Sequence, residues 1–128
     1  AAERLPLEAV RLLHENVDHY DWVGIYHLEG DELVLGPFLG VPSPHTRIKI
    51  GDGICGAAAA QEQTIIVDDV NADSRYLACS IHTKSEIVVP IFKDGEVVGE
   101  IDIDSDRPAA FNNGDRSFLE QIAEILSR

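Results

Sequence analysis

The chain has 128 residues, 45% of them hydrophobic, and its 10 basic and 23 acidic side chains leave a formal net charge of −13. That is enough chain for one domain with a real core and too little for two, so a single domain over 1–128 is expected. The acidic balance repels phosphate backbones and anionic membrane surfaces, no apolar run approaches the ~18 residues of a membrane span, and no segment reads as an export signal; the expected setting is the cytoplasm, with neither nucleic acid nor membrane as a partner.

In chain order, "LPLEAVRLLHENV" sets Ala9, Leu13 and Val17 one turn apart, with Val10 and Leu12 widening the stripe and Pro6 suited to a first turn, which predicts an amphipathic helix. "DWVGIYHL" alternates, with Trp22, Gly24, Tyr26 and Leu28 on one face and Val23, Ile25 and His27 on the other; "EGDE" turns it into "LVLGPFLG", a hairpin. "TRIKI" reads as a short strand, and "GDGICGAAAAQ" passes from a glycine turn into an alanine-rich helix with Cys55 near its start. No Lys-Ser/Thr follows those glycines, and Asp52 sits among them, so a close-packed turn is favoured over a phosphate cradle.

"TIIVDD" predicts a buried strand, "VNADSRYLACSIHTK" an irregular stretch with one helical turn, and "SEIVVPIFKDGEVVGEIDIDS" a second hairpin. "NNGDRSFLEQIAEIL" closes as a helix capped by Asn112 or Asn113, with Phe118, Ile122, Ile125 and Leu126 sharing a face. Hairpins outnumber crossover units, so the fold class is α+β: one domain with a mainly antiparallel central sheet and flanking helices.

Two local patterns invite a chemical reading. Cys79 precedes an apolar strand headed by Glu86, and in "EIDIDS" the period of two puts Asp102 and Asp104 on the face opposite Ile101 and Ile103. The aspartates are either solvated charges on an edge strand or part of a carboxylate cluster with Glu86, which would hold a proton at neutral pH and accept an ammonium group. Trp22 and Tyr26 share a face and are either core residues or an aromatic wall; Cys79 is either a small buried hydrophobe or a nucleophile. Neither the two cysteines nor His45 and His82 form the close ligand pairs of structural zinc, so no metal is expected.

The hairpin register decides whether Glu86 joins the aspartates. A three-residue loop of Lys93, Asp94 and Gly95 pairs Phe92 with Glu96, Ile91 with Val97, Val89 with Gly99 and Ile87 with Ile101. That expectation sets Glu86 directly across from Asp102.

"DWVGIY", "GDGICG", "LAC" and "SEIVVP…GEIDIDS" together resemble the free methionine-(R)-sulfoxide reductases, a family built on the GAF fold, from about Asp21 to the C-terminal helix. The resemblance implies Cys79 as catalytic cysteine, Cys55 as a recycling cysteine, Trp22 and Tyr26 as the aromatic pocket, and Glu86, Asp102 and Asp104 as substrate-binding carboxylates that also supply the catalytic proton. It implies reduction of free L-methionine (R)-sulfoxide through a Cys79 sulfenic acid and a disulfide, recycling by a thioredoxin-type reductant, no cofactor, and a homodimer. The chain departs from the family where relatives commonly carry a further cysteine, just before the "RIKI" strand; here the neighbourhood reads "SPHTR", with His45 near that place. The alternative is a non-catalytic GAF module that binds a small molecule or senses redox state.

Overall fold

The computed structural model describes residues 4–77 and 82–128. Helix α1 spans Arg4–Asn16, strands β1 and β2 Trp22–Glu29 and Glu32–Leu39, β3 Arg47–Lys49, helix α2 Gly53–Gln61, β4 Ile65–Val67, β5 and β6 Ser85–Lys93 and Glu96–Ser105, and helix α3 Asn113–Leu126. A single 3-10 turn covers Val70–Ala72. The strands form one six-stranded sheet in the order β3-β2-β1-β6-β5-β4, with every pairing antiparallel. This is the expected α+β arrangement.

Alternation along the strands divides the sheet into two faces. Val23 and Ile25 of β1, Ile87, Val89 and Ile91 of β5, and Ile101 and Ile103 of β6 pack against Val10 and Leu13 of α1 and Leu119 and Ala123 of α3. Each fully buried isoleucine contributes about 1.5–3 kcal/mol of transfer free energy. The opposite face carries Trp22, Tyr26, Leu33 and Val88 under Ile54, Cys55 and Ala58 of α2. The central strands β1, β6 and β5 are therefore covered on both sides, and any polar group on the α2 face is taken out of water.

The β5–β6 register corrects the sequence expectation. The turn has two residues, Asp94 and Gly95, at φ of 54° and 81°, and it pairs Lys93 with Glu96 and Phe92 with Val97. Asp-Gly favours this left-handed two-residue turn because its twist matches that of the strands it joins. The register then shifts between Ile91 and Phe92, so that Ile91 faces Gly99, Val89 faces Ile101, Ile87 faces Ile103 and Glu86 faces Asp104. Val98 is the extra residue of a bulge. The bulge, rather than a longer loop, restores the alignment of apolar residues; Glu86 stays on the aspartates' face but sits across from Asp104, not Asp102.

The apolar face expected on α3 is present. Leu119 and Ala123 are the buried residues of α3, while Phe118 and Ile125 are 44% and 42% exposed. With Leu5 and Leu12 of α1 they line an apolar groove of about 360 Å³ between the two helices. All four residues expected to share that face, Phe118, Ile122, Ile125 and Leu126, line this groove, and Ile122 and Leu126 also pack against the core.

The cap of α3 is Asn112. Its side chain accepts from the N–H groups of Gly114 and Asp115, and Asp115 Oδ2 accepts from the Asn112 N–H at 2.9 Å. The other oxygen, Oδ1, accepts from the Tyr20 hydroxyl at 2.6 Å and lies 3.3 Å from His19 Nε2. Burial raises the Asp115 pKa, but the hydrogen bonds from Tyr20, the Asn112 backbone and His19 outweigh it, and the carboxyl is held below its usual value. An Asp115→Ala variant is expected to lose about 2 kcal/mol in urea unfolding at neutral pH, because a cap and a buried phenol lose their partner together. A carboxyl with a lowered folded pKa contributes stability above its unfolded value, near pH 4, and loses it as pH falls through the folded one. The deficit of the variant should therefore shrink below about pH 4.

Candidate active site

Three rows of paired residues build the α2 face of the sheet. Trp22, Asp104 and Glu86 lie side by side across β1, β6 and β5; Gly24, Asp102 and Val88 form the next row; Tyr26, Glu100 and Pro90 form the third. Glu86, Glu100, Asp102 and Asp104 are all buried, at no more than 6% exposure. Period-2 geometry thus collects four carboxyls on one covered patch. Gly24 has a steric reason: a Cβ there would collide with the Trp22 indole, which folds down over it beside Asp102.

Both aromatic rings are anchored at their polar ends. Trp22 Nε1 donates to the Val41 carbonyl at 2.8 Å and its ring stacks on Phe38, with centroids 5.8 Å apart. The Tyr26 hydroxyl donates to the His45 carbonyl at 2.9 Å. Buried aromatic rings fixed at the edge present rigid apolar faces inward, so the two residues serve both as core and as walls. Two cavities adjoin the carboxyl patch. One, of about 70 Å³, is lined by Trp22, Val41, His82 and Asp104 among others; the other, of about 20 Å³, by Tyr26, His45, Cys55, Glu86 and Asp102 among others.

Cys55 enters from above. The turn before α2 is closed by the Gly51 N–H donating to the Gly56 carbonyl and the Gly56 N–H donating to the Asp52 carbonyl, both at 2.9 Å. The helix that follows is apolar all round and buries Ile54 through Ala59. Cys55, at 4% exposure, has its sulfur within 4.8 Å of carboxylate oxygens of both Glu86 and Asp102. Burial pushes its thiol pKa well up, and the negative charges of Asp102, Glu100 and Glu86 push it the same way. Cys79 lies outside the described residues; Leu77 and His82, on either side of segment 78–81, line the small and the larger cavity respectively.

Glu100, Asp102 and Asp104 are shifted upward, chiefly by desolvation. Burial raises Asp102, against hydrogen bonds from Glu86 and Cys55 that favour its ionised form; burial and then the charge of Asp102 raise Asp104 and Glu100 well above their usual values. Among the described residues, Oδ1 of Asp102 and of Asp104 has no hydrogen-bond partner, and Glu100 has none beyond the Cys55 thiol. None of the ion pairs among the described residues includes Glu100, Asp102 or Asp104. Such a patch holds a proton more readily than exposed carboxyls do, and it offers both a proton and a receptor for a cation.

Trp22, Tyr26, Cys55, Glu86, Asp102 and Asp104 are thus brought together on one face. Glu100 joins them and was not singled out from the sequence, although it stands two residues before Asp102 in the same alternating run. A carboxyl whose folded pKa is raised is protonated more readily in the folded chain than in the unfolded one, so it costs stability as pH rises above the unfolded value. A Glu100→Gln variant should therefore gain stability relative to the parent as pH increases above about 4, reaching roughly 1–3 kcal/mol at pH 8. Urea unfolding across pH with a chelator present checks this; a difference independent of pH would contradict it.

Comparison with known proteins gives concordant matches. The GAF domain family model matches residues 7–128. The free methionine-R-sulfoxide reductase of Escherichia coli is 38% identical over 117 residues, covering 91% of this chain and 70% of the relative. The structure of a type II free methionine-R-sulfoxide reductase from Thermoplasma acidophilum superposes with a TM-score of 0.96 at 42% identity, covering 98% of this chain and 89% of that one. The free methionine-R-sulfoxide reductase of Neisseria meningitidis, in complex with its substrate, gives a TM-score of 0.94 at 40% identity over 99% of this chain and 76% of its own.

Proposed function

Because the chain belongs to the free methionine-R-sulfoxide reductase family of GAF domains, we propose that it reduces free L-methionine (R)-sulfoxide to methionine with Cys79 as the nucleophile. The observation that carries this reading is the buried patch of Glu86, Asp102 and Asp104 between Trp22 and the Cys55 thiol. With no neutralising side chain on either aspartate among the described residues, the anionic patch suits a ligand that brings its own α-ammonium, and the anchored aromatic walls suit the S-methyl end.

The sulfur of Cys79 attacks the sulfoxide sulfur while a protonated member of the Glu86–Asp102–Asp104 set delivers a proton to the sulfoxide oxygen. The hydroxyl then passes from the substrate sulfur to the Cys79 sulfur as the S–O bond of the substrate and the new S–S bond break; methionine leaves, and Cys79 carries the oxygen as a sulfenic acid. The Cys55 thiol then condenses with it, releasing water and forming a Cys55–Cys79 disulfide, which a thioredoxin-type dithiol reopens by exchange. Dependence on such a reductant fits the cytoplasm. The exposed apolar groove between α1 and α3 supports a homodimer built on those helices.

The test is turnover of racemic free methionine sulfoxide with dithiothreitol. Consumption should stop at half the material, leaving the S epimer. Loss of both epimers at equal rates, or of neither, would defeat the reading, and binding without turnover would favour a sensor module.

A further inference from the structure

The smaller cavity has a property the reductase chemistry does not use. Its volume, about 20 Å³, is close to the ~10–15 Å³ that one water needs, so it holds a single atom-sized occupant rather than an amino acid. Three of its lining residues, Cys55, Glu86 and Asp102, are buried and present a sulfur and two carboxylate oxygens within 4.8 Å of one another. Asp102, 3% exposed, has its Oδ1 without a hydrogen-bond partner among the described residues. These donor atoms have been withdrawn from water.

We propose that Cys55, Glu86 and Asp102 bind one divalent cation of the zinc class in the substrate-free protein. The donor set selects the metal. A thiolate with carboxylate oxygens suits Zn²⁺ or Co²⁺, which take few ligands and tolerate mixed sulfur and oxygen. Calcium and magnesium want six or more oxygens and water, for which the cavity has no room. Binding exchanges the thiol proton for the metal: Cys55–SH and the free ion give a Cys55–S–metal bond and release one proton to solvent. This set differs from the Cys55, Cys79, His45 and His82 combination weighed from the sequence.

Two consequences follow, the first resting on the reductase reading above. The metal occupies the carboxylates that would receive the substrate ammonium, so metal and methionine sulfoxide exclude each other. It also ties up the Cys55 sulfur and keeps it from entering a disulfide, so the metal-bound protein is held reduced and idle until substrate or a chelator removes the ion.

The experiment is a Co²⁺ titration of the reduced protein, read by the thiolate-to-cobalt charge-transfer absorption. One ion per chain is expected, with the band retained in Cys79→Ser, lost in Cys55→Ser and displaced by Zn²⁺; affinity should fall roughly 10- to 100-fold in Asp102→Asn, whose shape is conserved. Zn²⁺ should raise the apparent KM for methionine sulfoxide with kcat unchanged. No band, a band that survives Cys55→Ser, or unchanged affinity in Asp102→Asn overturns the site. Turnover in the presence of a chelator reads the reductase activity separately, so loss of the metal site and loss of the proposed reaction are distinguishable.

Discussion

Replacing Cys79 with serine is expected to abolish methionine release even in a single turnover, a loss of about 10⁴-fold or more. A serine hydroxyl is not ionised near neutrality, lacks the polarisable sulfur that attacks the sulfoxide, and cannot become a sulfenic acid. Cys55 cannot stand in for it. Its thiol is buried against Asp102, Glu86 and Glu100, and both burial and those charges keep it protonated. In the proposed second step the electrophile is the Cys79 sulfenic acid, and Cys55 attacks it once its own proton has left. Cys55→Ser should therefore release one methionine per chain and then stall with thioredoxin, while dithiothreitol, which reaches the sulfenic acid directly, still supports turnover. Quenched-flow methionine assays with thiol counting check both variants. Normal thioredoxin recycling in Cys55→Ser would move resolution to another route, a pointed outcome in a chain with His45 near the place where relatives commonly carry a cysteine.

Asp102→Asn is expected to move activity and stability in opposite directions. Asp102 sits between Gly24 and Val88 in the middle of the buried face, 3% exposed, with one oxygen unbonded among the described residues. Its ionised form is costly in the folded chain, since burial is the dominant influence on it. Asparagine keeps the shape and removes the charge, so stability at pH 7 should rise by about 1–3 kcal/mol. A charge-assisted contact to the substrate ammonium is lost at the same time, lowering kcat/KM by roughly 30- to 1000-fold. Urea unfolding and steady-state kinetics on one preparation read both effects. A variant that is less stable and fully active would contradict the assignment of Asp102 to the site.

Much of this arrangement is legible in the alternation of two strands. "DWVGIY" and "EIDIDS" each put their polar or aromatic members on one face and their aliphatic members on the other, and antiparallel pairing brings Trp22 opposite Asp104 and Gly24 opposite Asp102. The register of β5 was harder to read because a bulge leaves no mark in composition: Val97 and Val98 look alike, and only the turn preference of Asp-Gly favours the two-residue loop that makes the bulge necessary. Glu100 obeys the same period as Asp102, but a glutamate near a hairpin end reads as solvent-facing until β1 and α2 cover it. The direction of Cys55 has no periodic signal at all, since "ICGAAAA" is apolar on every side. The shared face of α3 is legible from its spacing, and its four apolar residues line the groove beside the core.

The most direct measurement compares kcat/KM for free L-methionine (R)-sulfoxide with that for its N-acetyl derivative, in which the α-ammonium is replaced by a neutral amide. If the carboxylate patch recognises the ammonium, capping it leaves buried carboxylates facing an uncharged group and the derivative should be poorer by on the order of 10³-fold or more. Comparable rates on the two would contradict the account, because the Glu86, Asp102 and Asp104 patch would then have no part in choosing the substrate.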